Sequence, residues 1–257
     1  MVLNMGHPWI GLGSDAEVRH FDALVARTGE SWWGHQTAAG QARLARRARI
    51  VAQQLPLGPA YHVLEVAAGT GALTDAVLRE APSARITATD ISPVSVLRLE
   101  QRVRAHRYLT SAVADMTHLD YADATFDGVM ANSALHHVDV RVCLQELFRV
   151  LRPGGRLVAF EPNLLNPEVF IEMTVARRMA MRNLEYSATE RTHSRWTYGR
   201  RLTDAGFTAV RVRPFDFVHP LTPQLLIGVL SRLGRLVEHL PVLGEVAGSL
   251  FLTARRP

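Results

Sequence analysis

The residues with the clearest chemical pattern lie between Tyr61 and Thr74, in the stretch YHVLEVAAGTGALT. An apolar run carries one acid, Glu65, and is followed by Gly69 and Gly71 before helical spacing begins. Glycine permits a positive φ and lets a ligand approach the main chain without meeting a Cβ atom. The stretch therefore predicts a buried strand, a ligand-binding turn and then a helix.

Glu65 distinguishes this turn from the one that binds dinucleotides. That turn uses three glycines to hold a pyrophosphate, and here the third glycine is missing. A carboxylate at the end of the strand repels a pyrophosphate. The turn therefore favours a ligand with a cationic end.

A second acid closes the next predicted strand, 84–90 (ARITATD). An acid about 20 residues beyond the glycines is where a nucleotide-binding fold holds the ribose hydroxyls. Ser92 and Pro93 already supply a helix cap and a first-turn proline, so Asp90 is not needed as the cap. We predict that Asp90 binds a ribose and that Ile91 lies against the adenine.

Strands and helices alternate through most of the chain. Further strands are predicted at 110–114, 126–132, 155–160, 207–214 and 249–255, with helices between them. This alternation favours an α/β fold with a mostly parallel sheet. A length of 257 residues with 47% hydrophobic content allows one substantial α/β domain with additions.

From Tyr61 to about Asn163, the chain resembles the class I, Rossmann-like S-adenosylmethionine-dependent methyltransferases of the small-molecule type. The pattern E-x-A-x-G-T-G at Glu65 carries the resemblance, together with the later strings FDGVMANSALHHV and ELFRVLRPGGRLVAFEPN. The resemblance implies a Rossmann-like, doubly wound, seven-stranded sheet, mostly parallel with an antiparallel last strand, plus helical additions.

The resemblance also implies a cofactor, S-adenosyl-L-methionine, which leaves as S-adenosyl-L-homocysteine. Asp115 and Met116 follow the third strand, where the family faces the adenine amino group; a turn aspartate is the alternative for Asp115. No metal ligand set is expected, since the single cysteine, Cys143, excludes a multi-cysteine zinc site. The expected cofactor-binding residues are Glu65, Ala67, Gly69, Gly71, Asp90, Ile91, Asp115, Met116 and Asn132.

Two adjacent histidines, His136 and His137, follow the fourth strand at the carboxyl edge, where ligands bind in open α/β sheets. Methyl transfer is an in-line displacement, so positioning the acceptor is most of the catalysis. A base is needed only when the acceptor must lose a proton, and imidazole titrates near neutrality. We predict a catalytic role for His136 or His137; the alternative is one packing residue and one pocket wall.

Substrate-binding residues are expected in the less patterned parts of the chain. Glu161 and Asn163 stand at the tip of the fifth strand, although Glu161-Pro162-Asn163 also fits a simple turn. Paired tryptophans near position 33 fit either a lid or a plug at the edge of the core. The candidates for contact with the acceptor are Trp33, Glu161, Asn163, Arg195 and Tyr198.

The predicted organisation is an N-terminal helical lid or cap at 1–55 and a methyltransferase core at 56–257. Helical insertions at about 164–198 and 222–240 are expected to form the acceptor side. Residues before Gln36 show no regular pattern, whereas 37–55 has helical spacing. The arginines of that helix are interpreted as a solvated face, with a phosphate or carboxylate contact as the alternative. For the apolar stripe of 222–240, core packing is favoured over a dimer face.

Composition and charge limit the classes of partner and the location that we expect for the protein. All 29 basic residues are arginine, and the net charge of +5 is only mild evidence for an acidic partner. No apolar run reaches the length of a membrane span and no leader is recognised, so we expect a cytoplasmic protein. A small-molecule acceptor is expected, without nucleic acid, and a homodimer is left open. Arginine richness beside such a core fits a bacterial secondary-metabolite pathway.

The predicted function is methyl transfer to O, N or C of a small aromatic or secondary-metabolite acceptor. An RNA or protein methyltransferase is one alternative. Against base methylation, 132–135 lacks the proline- and aromatic-containing tetrad that clamps a flipped base. The other alternative is a protein that binds S-adenosylmethionine without transferring its methyl group, because fold does not dictate function.

Overall fold

A seven-stranded sheet organises the residues that this computed structural model describes, which are 12–29, 34–104, 106–171 and 191–257. The strands lie in the order β3-β2-β1-β4-β5-β7-β6. Their bounds are β1 (His62–Val66), β2 (Arg85–Asp90), β3 (Leu109–Val113), β4 (Phe126–Asn132), β5 (Leu151–Pro162), β6 (Thr208–Phe215) and β7 (Ser249–Arg255).

The strand directions confirm the predicted sheet. Strands β1 to β5 pair in parallel, whereas β7 pairs antiparallel with both β5 and β6. In the sheet β1 lies between β2 and β4, so the strand order changes direction at β1. A ligand site is expected at such a switch point. The glycine turn after β1 lies at this place.

Helices cover both faces of the sheet. Their bounds are α1 (Leu12–Thr28), α2 (Ala38–Gln54), α3 (Ala72–Glu80), α4 (Pro93–Arg102), α5 (Val140–Val150), α6 (Pro167–Ile171), α7 (Arg195–Asp204) and α8 (Gln224–Val237), with short 3-10 helices at Leu135–His137 and Gly244–Val246. None of the described helices is both long and apolar enough to cross a membrane.

The sheet separates two apolar cores. On one face, α5 contributes Leu144 and Leu147 to a cluster that also contains Tyr198 of α7. On the other face, α2 and α3 pack residues such as Val51 and Val77 against the strands. Central strands are buried on both faces, which is why their sequences read as continuous apolar runs.

The prediction that residues before Gln36 are irregular is wrong, because α1 covers Leu12–Thr28. Leu24 and Val25 are buried. They share a helical period with Val18 and Phe21, and this weak amphipathic pattern was the available signal. The predicted fifth strand was also too short, since β5 begins directly after α5 and extends to Pro162.

The prediction that the apolar stripe of α8 packs into the core is also wrong. Leu226, Val229 and Leu233 are 49%, 55% and 52% exposed. Gly234 is the buried residue of this helix and lies close to the Phe217 side chain. The helix therefore touches the body of the protein along a narrow strip and turns its leucines outward.

We expect Gly71→Ala to destabilise the fold. Gly71 has a φ of 80°, and a Cβ atom there would lie 2.9 Å from Cγ of Leu99. A left-handed alanine costs about 1–2 kcal/mol and overpacking adds about 1–3 kcal/mol, so a loss of about 2–5 kcal/mol in the free energy of unfolding is expected in urea titrations.

The matched control is Gly58→Ala, because an added Cβ atom at Gly58 would meet nothing within 4 Å. We expect its effect to stay within about 0.5 kcal/mol. Equal stabilities of the two variants would contradict the tight packing of Gly71 on Leu99.

Candidate active site

A cavity of about 210 Å³ opens at the carboxyl ends of β1, β2 and β4. Its walls come from the glycine turn, from the segments after β2, β3 and β4, and from the two N-terminal helices. The lining residues used below are Glu17, Phe21, His35, Gly40, Arg43, Arg47, Glu65, Ala67, Gly69, Asp90, Ile91, Asp115, Met116, Asn132, Ser133 and His137.

The glycine turn bends sharply at three residues, since Ala67, Gly69 and Gly71 have φ values of 49°, 55° and 80°. The Ala68 N–H donates to the Thr89 carbonyl at 2.9 Å, which holds the turn against β2. Ala67 adopts a left-handed conformation that costs a non-glycine residue about 1–2 kcal/mol. The turn thus keeps a geometry usually given to glycine.

Gly71 does not line the cavity. It precedes α3 and packs on Leu99, which gives it a structural role, and its predicted contact with the cofactor stays a prediction. Its carbonyl accepts the Asp75 N–H at 2.9 Å and starts the helix. The glycine at this position is required by the backbone and by close packing.

Glu65 is a buried acid at the end of β1, with 1% of its surface exposed. Burial raises its pKa to about 8; the hydrogen bond from Thr74 opposes the rise, and the charge of Asp90 adds to it. The Thr74 hydroxyl donates to Glu65 Oε2 at 2.7 Å. A cationic group bound in the cavity would stabilise the ionised carboxylate.

Asp90 lies at the end of β2 and lines the same cavity. Its Oδ2 accepts the Gly69 N–H at 2.7 Å, and its Oδ1 accepts the Ser92 N–H at 2.9 Å. Burial raises its pKa to about 6, although these two hydrogen bonds oppose the rise. Asp90 therefore links the glycine turn to the start of α4 and presents a carboxylate to the cavity.

Asp115 has the contacts of a turn aspartate and also lies at the cavity, where the adenine contact stays a prediction. Its Oδ1 accepts hydrogen bonds from the N–H and the hydroxyl of Thr117, at 2.8 and 2.7 Å, as a turn aspartate does. It also lines the cavity beside Met116. Of the nine residues expected to bind the cofactor, every one except Gly71 lines this cavity.

A buried network surrounds Glu161 at the end of β5. Its Oε1 accepts the N–H groups of Ala134 and Leu135 at 2.9 and 3.0 Å. Its Oε2 accepts the Tyr198 hydroxyl at 3.2 Å and lies 2.8 Å from His136 Nδ1. Burial alone would raise the pKa of Glu161, but the hydrogen bonds, led by that from His136, lower it below its ordinary value.

The two histidines have different environments. His136 is 3% exposed and lies against Glu161, outside the cavity lining. His137 lines the cavity, its ring centroid 4.1 Å from that of His136 and 5.2 Å from that of Phe21. Of the two histidines predicted as a base, His137 is therefore the one that lines the cavity, and the catalytic role itself stays a prediction.

The acceptor contacts predicted at β5 and α7 lie apart from the cavity and stay predictions. Glu161, Asn163, Arg195 and Tyr198 do not line the cavity. The Asn163 amide donates to the carbonyls of Glu245 and Ala247, both at 2.8 Å, and Arg195 pairs with Glu245 at 2.8 Å. These side chains hold β5, α7 and the segment before β7 together. The remaining candidate, Trp33, lies outside the described residues.

Helix α2 carries four arginines, at positions 43, 46, 47 and 49. Their interpretation as a solvated face is wrong for the first three. Arg43 Nε lies 2.9 Å from Asp216 Oδ2, and Arg46 forms two 2.7 Å hydrogen bonds with Glu238. Arg47 is 5% exposed, whereas Arg49 remains largely in solvent. The carboxylate contacts left as an alternative are therefore present, within the protein itself.

Arg47 is a buried cation whose nearest partners are neutral. Its Nη1 donates to Asn132 Oδ1 at 2.6 Å and its Nη2 to Ser249 Oγ at 3.0 Å, while Asp216 is 4.0 Å away. Burial lowers its pKa to about 9. Among the described residues, no group accepts a hydrogen bond from its Nε.

Sequence reasoning did not assign seven of the lining residues named above to the site: Glu17, Phe21, His35, Gly40, Arg43, Arg47 and Ser133. For Arg47 a signal was present, because it lies three residues after Leu44 and four before Val51 on the apolar stripe of α2. For the α1 residues the only signal was the weak amphipathic pattern of that helix. Within the described ranges, no group of three His, Cys, Asp or Glu side chains could hold a metal ion.

Comparison with known proteins gives a consistent family. A family model described as a methyltransferase domain matches residues 64–159. A demethylmenaquinone methyltransferase of Thermobifida fusca is 33% identical over 196 residues, which cover 69% of this chain and 81% of that protein. The chain spans about half the length of two other demethylmenaquinone methyltransferases that it matches, 43% and 50%.

Two solved structures share the fold over nearly the whole chain. Geranyl diphosphate C-methyltransferase from Streptomyces coelicolor, crystallised with S-adenosyl-L-homocysteine, has a TM-score of 0.65 and 17% identity and covers 96% of this chain and 98% of its own. The [4+2]-cyclase SpnF has a TM-score of 0.67 and 22% identity and covers 94% and 95%. With the fold, the domain match and the Thermobifida relative in agreement, the chain belongs to the class I S-adenosylmethionine-dependent methyltransferases.

Proposed function

We propose that this protein transfers the methyl group of S-adenosylmethionine to an oxygen, nitrogen or carbon atom of a small aromatic or metabolite acceptor. The observation that carries the proposal is the convergence of Glu65, Asp90 and Asp115 on one cavity at the switch point of the sheet. Relatives named for demethylmenaquinone and for malonyl-[acyl-carrier protein] support a non-nucleic-acid acceptor.

The cavity residues fit the cofactor in one orientation. Asp90 would bind the ribose hydroxyls, and Ile91, Asp115 and Met116 would surround the adenine. The ammonium end would lie towards Glu65, whose pKa is raised chiefly by burial, and its charge would favour the ionised carboxylate. When bound, the cofactor supplies an electrophilic methyl group on a sulfonium; the protein supplies its position.

The acceptor would lie between the methyl group and the N-terminal helices. Phe21 and His35 contribute to this part of the cavity, together with Arg43 of α2. Residues 1–55 therefore act, in this proposal, as the cap that was expected from the sequence. His137 is the group placed to take a proton, and the His136–Glu161 pair supports its ring from behind.

A second candidate is binding of S-adenosylmethionine without methyl transfer. The shared fold with a [4+2]-cyclase shows that this architecture also carries other chemistry. Release of S-adenosylhomocysteine with a panel of phenolic and hydroxylated acceptors distinguishes the two, because a protein that only binds the cofactor releases none.

Replacement of Asp90 by alanine is expected to weaken S-adenosylhomocysteine binding by about tenfold or more, since two charge-assisted hydrogen bonds to the ribose are lost. Calorimetric titration measures the affinity. The control is Asp120→Ala, because Asp120 is exposed and outside the cavity. An unchanged affinity of a folded Asp90→Ala protein would contradict the proposed binding of the ribose by Asp90.

The raised pKa of Glu65 predicts a pH-dependent stability. The pKa of Glu65 is near 4.5 in the unfolded state and about 8 in the folded state. The folded state therefore keeps the proton to a higher pH, and the free energy of unfolding falls as pH rises between these values. Glu65→Gln should remove this loss. From pH 5 to pH 8, its free energy of unfolding should rise relative to that of wild type by on the order of 1–3 kcal/mol.

Urea unfolding at several pH values measures this difference. Bound S-adenosylhomocysteine should reduce the pH slope of the wild type, because its ammonium group favours the ionised carboxylate. Parallel pH profiles of wild type and Glu65→Gln would contradict a raised pKa at Glu65.

A base role for His137 predicts that its replacement lowers turnover and leaves cofactor binding nearly unchanged. His137→Ala should lower kcat by about 10²-fold or more with an acidic hydroxyl acceptor, while the affinity for S-adenosylhomocysteine changes little. The exposed His118 provides the control variant, His118→Ala. Equal rates of His137→Ala and wild type across neutral pH would exclude His137 as the base.

A further inference from the structure

The surface around α8 is unusually rich in exposed apolar side chains. Leu225 is 94% exposed, Leu221 and Val242 are each 79% exposed, and Leu236 is 69% exposed. We name this region the α8 surface; its exposed apolar residues are Leu221, Leu225, Leu226, Val229, Leu230, Leu233, Leu236, Leu240, Val242, Leu243 and Val246. A contiguous patch of this kind normally marks a binding surface.

The helix is fixed to the protein from its inner side. Glu238, at its C-terminal end, forms two hydrogen bonds with Arg46 and accepts the Asp216 N–H at 2.8 Å. Gly234 permits close contact with Phe217. These contacts orient the helix so that its leucines face outward, and no other described element covers them.

The exposed charges of α8 have one sign. Arg232 and Arg235 are exposed on the helix, and His239 is exposed just after it. The acid of this region, Glu238, is turned inward to Arg46, and Glu245 is paired with Arg195. Leucines combined with arginines on one exposed helix are typical of a helix that lies in a membrane interface.

We propose that the α8 surface docks on an anionic lipid bilayer, with α8 parallel to the membrane plane. The arginines would contact lipid phosphates while the leucines enter the acyl boundary. A second copy of the chain fits this surface less well. A two-fold interface would bring together two copies of a surface whose exposed arginines, Arg232 and Arg235, have no exposed acid on α8 to pair with.

Docking would also bring the cavity near the lipid. The Thr37 hydroxyl, at the start of α2, donates to the Pro220 carbonyl at 2.8 Å, one residue before Leu221. The same helix contributes Gly40 and Arg43 to the cavity. This consequence rests on the proposed function, because it places the acceptor side beside the membrane; the docking itself does not depend on methyl transfer.

The test is flotation of the full chain with two kinds of vesicle, phosphatidylcholine alone and phosphatidylcholine mixed with phosphatidylglycerol. Wild type should float with the anionic vesicles, and salt should weaken the binding. Leu225→Glu combined with Leu236→Glu should reduce partitioning by about tenfold or more. Arg232→Gln combined with Arg235→Gln should lower binding to anionic vesicles by a similar factor.

The matched control is Leu97→Glu combined with Val142→Glu, since these residues are 55% and 44% exposed on α4 and α5. This protein should float like wild type. Titration with S-adenosylhomocysteine checks that every variant is folded, and it separates failure of docking from failure of the proposed function.

Two results would overturn the proposal. One is absence of wild-type binding to anionic vesicles, or equal binding by Leu225→Glu/Leu236→Glu. The other is concentration-dependent dimerisation in sedimentation that this double variant abolishes, without vesicle binding, which would assign the α8 surface to a second copy of the chain.

Discussion

Burial of charge at the carboxyl edge of the sheet is the constraint on which the rest of the structure depends. Glu65, Asp90 and Glu161 end three strands that converge at this edge, and each is at most 7% exposed. A buried carboxylate must receive hydrogen bonds or positive charge, or remain protonated. The hydrogen-bond partners of each acid therefore determine whether its carboxylate is stabilised within the protein or would be stabilised by a bound ligand.

Glu161 and Glu65 illustrate the two outcomes. Glu161 receives four hydrogen bonds from β4's end, His136 and Tyr198, and its pKa falls. Glu65 is bonded to Thr74, and its pKa rises to about 8. The first acid is satisfied within the protein and is structural. The ionised form of the second would be stabilised by a cation, which supports the proposal that a ligand with an ammonium and a sulfonium binds in this cavity.

This difference also explains how far the sequence could predict the site. The acids at strand ends were found from local spacing, and β4 and β7 were predicted with the bounds that the structure shows. Spacing does not distinguish Glu65 from Glu161, because the partners of Glu161 lie 25 and 37 residues away in His136 and Tyr198. For this reason the sequence could not show that the residues expected at β5 and α7 are bonded within the protein, outside the cavity lining.

The arginines of α2 extend the same argument beyond the shared core. Helical spacing cannot show whether an arginine is solvated, because the acids that bind Arg43 and Arg46 are 173 and 192 residues away. These two pairs join α2 to the segment of Asp216 and to the end of α8. One helix therefore lines the cavity with Arg43 and Arg47 and also anchors the α8 surface through Arg46. The helix that lines the cavity is thus joined to the segments that carry the α8 surface by two partly buried ion pairs.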